Sequence, residues 1–272
     1  MRYFLASWLV GLAALAVAGA VLLSPRSLAH SRSPAVPTLD HIVVAILENH
    51  SFPQIMDDGS APFIRELAGR GALFTRSFAL LHPSQPNYFA LFSGSTHNVS
   101  DDGDHTLNGP TLADLLRQRG KAFIGYIEDG SPRKHNPWES FPDGRSMERR
   151  LSDFPADFER LPAVSFVIPN QQHDMHDGSV ERGDRWLREH LGAYADWCRD
   201  HNSLLVVTFD EDDDGARNRI PTIFVGSGIV PGRYDRRIDH YSVLRTILAV
   251  YDLPPLAQTA FASPITDIWH RK

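Results

Sequence analysis

Hydrophobic and polar residues alternate along the chain in two kinds of stretch. Short runs rich in Val, Ile and Phe, bounded by Gly, Pro, Asn or Asp, predict buried strands. These runs are Ile42–Leu47, Ala122–Ile127, Val164–Ile168, Leu204–Phe209 and Thr222–Val225. Amphipathic stretches between them predict helices, with Thr111 and Asp184 as N-caps and Gly120 as a C-terminal stop. The predicted helices are Pro62–Arg70, Thr111–Arg119, Arg185–Arg199 and Tyr241–Val250.

Alternation of continuous apolar strands with helices indicates an α/β fold. Strands that are apolar throughout are covered on both faces, which predicts a three-layer sandwich with a mainly parallel central sheet. The sequence has no internal repeat. One catalytic domain over residues 39–272 is therefore the simplest organisation.

Residues 1–29 have the features of an export signal. Arg2 gives a positive start, Phe4 to Leu23 is an apolar run, and Ser27-Leu28-Ala29 is a small-x-small cleavage site. Because the run approaches the roughly 20 residues that span a bilayer, an uncleaved membrane anchor is the alternative. Either way we expect the catalytic part outside the cytoplasm, in a secreted, periplasmic or membrane-anchored protein. Residues 30–38 form a linker.

Composition narrows the class of protein. The net charge of -6 argues against a nucleic-acid binder, which would carry a basic stripe. Cys198 is the only cysteine, so no disulfide can form within the chain. Its helical surroundings beside Trp197 indicate a buried structural thiol.

Polar clusters follow three of the predicted strands directly. They are Glu48-Asn49, the segment from Asn170 to Asp177, and Asp210-Glu211. In an open α/β sheet, ligands bind outside the carboxyl ends of the strands. The three clusters therefore predict a site at one edge of the sheet.

Two of these clusters offer oxygen ligands for a metal, namely Glu48, Asn49, Asp210 and Glu211. Three carboxylates placed together repel one another unless a cation neutralises them. The set suits Mg²⁺, Ca²⁺ or Mn²⁺, and nearby histidines admit Zn²⁺ at a second position. The alternative is a solvated acidic loop, to which we assign the next three residues, 212–214.

The best candidate for a nucleophile is Ser84. Pro86 suits a first helical turn, so Ser84 should lie at or just before a helix N-terminus. The free N–H groups and the helix dipole there favour an anion. Asn87 would lie on the same face and could donate its amide to that anion. The simpler alternative is that Ser84 is only an N-cap.

Histidines next to aspartates form a third group of candidates. His173 and His176 follow a predicted strand, and His240 precedes a predicted helix. Imidazole can ligate a metal, bind phosphate or protonate a leaving oxygen. Lys134 and His135, shortly after another strand, could hold a substrate oxyanion, although a surface loop explains them equally well.

Four motifs together resemble the phosphoesterase family, which includes bacterial and fungal acid phosphatases and non-specific phospholipases C. The resemblance is greatest to small secreted acid phosphatases, some of them classed as phosphatidylinositol-3-phosphatases. The motifs run in order along nearly the whole predicted domain. They are Ile46 to Phe52 (ILENHSF), His82 to Tyr88 (HPSQPNY), Lys134 to Pro137 (KHNP) and Asp239 to Leu244 (DHYSVL).

The resemblance implies an alkaline-phosphatase-like fold, a covalent phosphoserine and a divalent metal. It puts Ser84 in the role of nucleophile. It puts the metal on Glu48, Asn49, Asp210 and Glu211, and phosphate or a second metal near Asn87, His135, His173, His176 and His240. This chain departs from the wider alkaline-phosphatase superfamily in one respect, because it has Asp210-Glu211 where that superfamily has Asp-His. The difference argues against a two-zinc site.

The sequence therefore predicts an exported, metal-dependent phosphatase that hydrolyses phosphate monoesters, with Ser84 and His240 as catalytic residues. Its expected substrate is a phosphorylated small molecule or a phosphoinositide, which could be presented at a membrane surface. A phosphodiesterase or phospholipase C with the same site is the nearest alternative. A non-catalytic metal-binding surface protein is another. A serine carboxylesterase is disfavoured because the chain contains no G-x-S-x-G elbow.

Overall fold

The structure, a computed structural model, describes residues 36–270. The predicted export signal, residues 1–29, and most of the predicted linker lie outside the described residues. Within residues 36–270 no helix combines the length and the hydropathy needed to cross a membrane.

The described chain forms nine strands and six α-helices. In chain order they are β1 His41–Leu47, α1 Phe52–Met56, α2 Pro62–Arg70, β2 Ala72–Phe78, α3 Ser84–Ser93, α4 Leu112–Gln118, β3 Phe123–Ile127, β4 Glu148–Arg150, β5 Val164–Ile168, α5 Val180–Trp197, β6 Ser203–Phe209, β7 Arg219–Gly226, β8 Gly232–Tyr234, β9 Ile238–Asp239 and α6 His240–Val250. Short 3₁₀ turns occupy Arg133–His135, Pro137–Ser140, Gly144–Met147, Leu151–Asp153, Phe158–Arg160 and Ala257–Phe261.

The strands form one sheet in the order β4-β3-β5-β1-β6-β7-β2-β8, with β9 paired to β2. Strand β7 is antiparallel to both of its neighbours, and the other pairs are parallel. Two reversals cancel, so β2 and β9 run in the same direction as β1. The prediction of a mainly parallel sheet is confirmed.

Helices cover both faces of this sheet, and the central strand β1 shows why. Its alternate side chains enter two separate apolar clusters, because successive residues of a strand point to opposite faces. One cluster joins Ile42, Val44 and Ile46 to helices α3, α4 and α6. The other joins Val43, Ala45 and Leu47 to helices α1, α2 and α5. The three-layer sandwich is confirmed.

One predicted helix start is wrong. Helix α5 begins at Val180, and Ser179 rather than Asp184 caps it by accepting from the Arg182 N–H. Asp184 lies about one turn inside α5. Its carboxylate instead accepts the N–H groups of Phe63 and Ile64, at 3.0 and 2.8 Å. Asp184 therefore caps helix α2, a role that the local sequence around it does not reveal.

Cys198 is buried, as predicted. Its sulfur lies 3.4 Å from the Val225 carbonyl oxygen, and burial raises the pKa of the thiol to about 12. The thiolate that reacts with electrophiles is therefore scarce at neutral pH.

Trp138 anchors the segment between β3 and β4 to the sheet. Its indole lies so close to Gly125 that a Cβ atom there would be 2.2 Å from two ring carbons. The indole N–H donates to Glu148 at 2.9 Å. This close approach fixes the 3₁₀ turn Arg133–His135, which carries two of the predicted site residues.

We therefore expect Gly125→Ala to lower the free energy of unfolding by about 1–3 kcal/mol, because the rigid indole has to move. The matched control is Gly69→Ala in α2, where an added methyl group meets open space. That change should be neutral or stabilising by up to about 1 kcal/mol, since Ala is the better helix former. Urea denaturation of both variants measures the difference. Equal stabilities would contradict this account of Trp138.

Candidate active site

The register of the two central strands places the first two acidic groups side by side. Strands β1 and β6 are parallel neighbours with Leu47 opposite Phe209. The residues that follow, Glu48 and Asp210, are both fully buried. The Asp210 N–H donates to the Leu47 carbonyl at 3.0 Å, so the pairing continues one residue beyond the strands.

Ser84 is the first residue of α3, as predicted, and is 1% exposed. Its hydroxyl oxygen lies 3.1 Å from Glu48 Oε2 and 3.2 Å from Glu211 Oε1. A hydroxyl has one proton, so it donates to one of these carboxylates at a time. Both groups are placed to orient the serine oxygen and to accept its proton.

Asn87, predicted to bind the substrate, holds the loop before Ser84 instead. Its amide nitrogen donates to the carbonyls of Leu81 and Pro83, at 2.8 and 3.3 Å. Its amide oxygen accepts from the N–H groups of Leu80 and Leu81. Its donors are thus already used within the loop, and a direct contact with the substrate stays a prediction.

Glu48 is the centre of a second group of contacts. Its Oε1 accepts from the Tyr88 hydroxyl, and its Oε2 lies 3.3 Å from Nε2 of His135. The other ring nitrogen of His135 is 3.5 Å from Asp174 Oδ2. Glu48, His135 and Asp174 are all buried and could together hold a metal ion. The imidazole also stacks on Tyr88, with ring centroids 5.1 Å apart.

Sequence reasoning missed two members of this group. Tyr88 lies four residues after Ser84, so helical spacing alone places the two side chains on one face of α3. Asp174 lies between His173 and His176, in a segment already expected at this edge of the sheet. The prediction assigned roles to the histidines on either side and none to Asp174.

Asn49 contacts the same carboxylates. One terminal atom of its amide lies 2.9 Å from Glu48 Oε2 and 3.3 Å from Asp210 Oδ1. As nitrogen, this atom donates to both groups. As oxygen, it joins them as a further ligand, and two oxygens at right angles around one Mg²⁺ also lie about 2.9 Å apart.

Burial makes this concentration of acid unfavourable. Burial, with the charges of Asp210 and Asp174, raises the pKa of Glu48 well above its ordinary value. Burial and the charge of Glu211 raise the pKa of Asp210 in the same way. Burial also raises the pKa of Asp174 and that of Glu211, each to about 7. Burial is the largest cause in each case, so the ionised forms are unfavourable unless positive charge lies nearby.

The residues present fit a divalent cation. Buried atoms without a hydrogen-bond partner include Asp210 Oδ2, Asp174 Oδ2 and both ring nitrogens of His135. Burial lowers the pKa of His135 to about 3, so its imidazole is neutral and can act as a ligand. Carboxylate and amide oxygens suit a hard cation, and the imidazole extends the choice to zinc.

Two donors for an anion lie beside Ser84, and Asp102 contacts both. Its Oδ1 accepts from the Gln85 N–H at 3.0 Å, in the first turn of α3. Its Oδ2 is 2.8 Å from Lys134 Nζ. Lys134 therefore lies next to the start of α3 with its charge partly balanced by Asp102, and its binding of the substrate stays a prediction.

The other predicted histidines lie around the site, and their roles stay predictions. His240 is buried behind Asp210, with Nε2 2.7 Å from the Asp210 carbonyl oxygen. His173 Nδ1 is 2.9 Å from Glu128, and His176 Nδ1 is 2.7 Å from Asp177.

His82, to which the sequence assigned no role, pairs with Glu211 through Nδ1 at 2.8 Å. Its other ring nitrogen is 3.3 Å from both Asp212 and Asp214. His82 is partly exposed, so it links the acidic loop after β6 to the loop that precedes Ser84.

Solved structures share this fold. A member of the alkaline phosphatase superfamily from Vibrio parahaemolyticus superposes with a TM-score of 0.60 and 16% sequence identity. The match covers 85% of this chain and 72% of that one. The predicted alkaline-phosphatase-like fold is confirmed.

Sequence comparisons identify the family. A phosphatidylinositol-3-phosphatase of Mycobacterium tuberculosis is 45% identical over 252 residues, covering 86% of this chain and 84% of that protein. A probable acid phosphatase of Kluyveromyces lactis is 29% identical over 79% of this chain, which spans only 59% of that relative's length. The model of the phosphoesterase family matches residues 54–254. The chain therefore belongs to the phosphoesterase family.

Proposed function

We propose that this protein is an exported, metal-dependent phosphatase that hydrolyses phosphate monoesters through a phosphoserine at Ser84. Family membership and relatives named as phosphatases support hydrolysis of phosphate esters. The observation that carries the finer proposal is the position of Ser84. Ser84 is the first residue of the buried helix α3. Its hydroxyl contacts the carboxylates of Glu48 and Glu211, which follow two different strands.

In the first step Ser84 Oγ attacks phosphorus and its proton passes to Glu48 or Glu211. The phosphorus–oxygen bond to the alcohol breaks, and the departing oxygen takes up a proton. His82 is better placed to supply that proton than the predicted His240, because His82 is partly exposed whereas His240 is buried behind Asp210. Water then attacks the phosphoserine, which releases phosphate and restores the hydroxyl.

Glu48, Asn49, Asp210 and Glu211 would hold a divalent cation, which would supply positive charge beside the serine oxygen and the phosphoryl group. The chain's own groups complete the charge balance. Lys134, whose charge Asp102 balances only in part, adds a donor for a phosphoryl oxygen. The Tyr88 hydroxyl donates to Glu48 Oε1, the carboxylate oxygen that does not contact Ser84, and so holds Glu48 in place. His135 lies against the other oxygen, Oε2, at 3.3 Å.

The proposed substrate is a phosphorylated small molecule or a phosphoinositide. The relative at 45% identity is named a phosphatidylinositol-3-phosphatase, which favours a lipid-borne monoester. In this proposal the export signal predicted for residues 1–29 places the activity outside the cytoplasm. A phosphodiesterase using the same site is the alternative.

Ser84→Ala should reduce kcat/KM for a nitrophenyl monoester to below about one hundredth of wild type, because no other group forms the covalent bond. The matched control is Ser93→Ala at the other end of α3. The buried Ser93 hydroxyl contacts the Phe89 carbonyl and the His97 ring, away from the carboxylates of the site. It should change activity little. Intact-mass measurement of acid-quenched protein should show one added phosphoryl group in wild type alone. The same measurement on the exported protein should show that residues 1–29 have been removed. Substantial activity in Ser84→Ala would refute the mechanism.

Removing the metal should abolish activity, and Asp210→Asn should weaken metal binding without unfolding the protein. Asp184→Asn, a buried aspartate that caps α2, is the control and should keep its metal. Metal analysis and activity after dialysis against a chelator give the result. Full activity after exhaustive chelation would exclude a metal-dependent reaction.

The metal-free protein should also respond to pH. In the folded protein the pKa values of Asp174 and Glu211 are about 7, above the ordinary carboxyl range. At these two carboxyl groups the folded state holds protons that the unfolded chain releases, so their contribution to stability falls as the pH rises through about 7 and is regained as the pH drops. The chelated protein should show a higher Tm at about pH 6 than at about pH 8, and added metal should reduce the difference.

The site should prefer monoesters, because a dianion gains more from Lys134 and the metal than a singly charged diester does. Lys134→Ala should lower kcat/KM about tenfold for a nitrophenyl monoester and less for the bis-nitrophenyl diester. Lys121→Ala removes the same charge at the opposite edge of the sheet and should affect neither. A wild-type preference for the diester would favour the phosphodiesterase, and an unchanged ratio in Lys134→Ala would remove the role of that lysine.

A further inference from the structure

Phe261 is exposed to an unusual degree. Among residues 36–270 two large hydrophobic side chains are exposed, Leu81 at 41% and Phe261 at 90%. Single exposed hydrophobic residues are common and need no explanation. The surroundings of Phe261 therefore decide whether it has a role.

Phe261 ends the 3₁₀ turn Ala257–Phe261 within an uncharged segment. No Asp, Glu, Lys or Arg occurs between Asp252 and Asp267, in a chain in which 22% of residues are charged. Pro255, Ala257 and Ala260 are exposed in the same segment. The ring thus projects from an uncharged segment that exposes other apolar side chains as well.

A cavity of about 490 Å³ opens beside this ring. Its lining includes Arg236, Arg237, Tyr241 and Gln258, whose N–H and O–H groups are donors that suit a phosphate group. Arg236 pairs with Asp267 at 3.4 Å. The guanidinium of Arg237 lies 3.9 Å above the Phe78 ring.

Arg237 is exposed and has no carboxylate within ion-pair distance among the described residues. Asp239, which also lines the cavity, is occupied as the N-cap of α6. Arg237 is therefore the cation of this surface best placed to meet a phosphate oxygen from outside.

This surface lies at the same edge of the sheet as Ser84. Strand β9 runs parallel to β2 and ends at Asp239, opposite Phe78. The next residue, His240, contacts Asp210. Leu81, the other exposed hydrophobic residue, belongs to the loop that leads from β2 to Ser84.

We propose that the surface formed by Arg236, Arg237 and Phe261 docks this protein on a phospholipid bilayer. Phe261 enters the region between headgroups and acyl chains, and the cavity beside it receives a lipid phosphate. A projecting ring suits a deformable bilayer, whereas a protein partner would need a matching pocket. Docking places Ser84 towards the membrane and thereby favours lipid-borne monoesters, so the inference rests on the proposed function for its substrate.

A fluorescent probe tests the orientation in the full chain without reference to activity. The buried Cys198 leaves an introduced cysteine as the reactive thiol. Phe261→Cys labelled with an environment-sensitive dye should shift its emission to the blue on addition of vesicles of phosphatidylcholine and phosphatidylserine. Asn202→Cys, at the opposite edge of the sheet, is the control and should not respond. Equal responses at both positions, or no response at position 261, would overturn the proposal. The comparison holds even if residues 1–29 attach the protein to the membrane, because it reports which side of the domain meets the bilayer.

Activity provides the second test. Phe261→Ala should lower kcat/KM about tenfold for a phosphoinositide in vesicles, the loss expected for one aromatic ring, and leave a soluble nitrophenyl monoester within twofold. Arg237→Gln should also lower kcat/KM for the phosphoinositide in vesicles. Phe261→Leu should retain most of the wild-type activity on vesicles. Parallel losses on both substrates, or a change in solution mass between wild type and Phe261→Ala, would show a structural or subunit-contact role instead. An inactive wild type would refute the proposed function alone, because the probe still reports docking.

Discussion

The mutual repulsion of buried carboxylates is the constraint on which the site depends. Glu48, Asp174, Asp210 and Glu211 occupy a small volume away from water, and burial raises the pKa of each. Such a cluster persists only if the surrounding fold is rigid and its charge is neutralised, either by a bound cation or by protons. The sandwich supplies the rigidity through a sheet whose two faces are both covered.

Topology explains how these groups meet. Parallel neighbours bring Glu48 and Asp210 to one edge, and the single antiparallel strand β7 returns β2 to the same direction. The loop after β2 therefore delivers Ser84 to the edge where the acids lie. Trp138, packed on Gly125, holds the turn that adds Lys134 and His135. Each element contributes one or two groups, and none contains a site alone.

The sequence predicted the strand ends and helix starts that depend on the period of apolar residues and on the positions of Pro and Gly. Apolar runs located Glu48 and Asp210 at strand ends, and Pro86 located Ser84 at a helix start. It failed where a side chain reaches across the fold: Asp184 caps α2 instead of its own helix, and Asp102 contacts Gln85. Strand β2 was missed because Thr75 to Ser77 interrupt its apolar run. No local pattern encodes such contacts, because they form only when distant segments pack together.

Sequence separation has a consequence for the folding of this enzyme. The two carboxylates that contact Ser84 are 36 and 127 residues away along the chain. Contacts of such separation require closure of long loops and belong to the slow part of folding. A partly folded chain, however much secondary structure it has formed, lacks the geometry for hydrolysis. In the proposed mechanism, catalytic competence is therefore a property of the fully assembled sheet, and a nascent chain in its early conformations lacks the geometry to act on a phosphate ester.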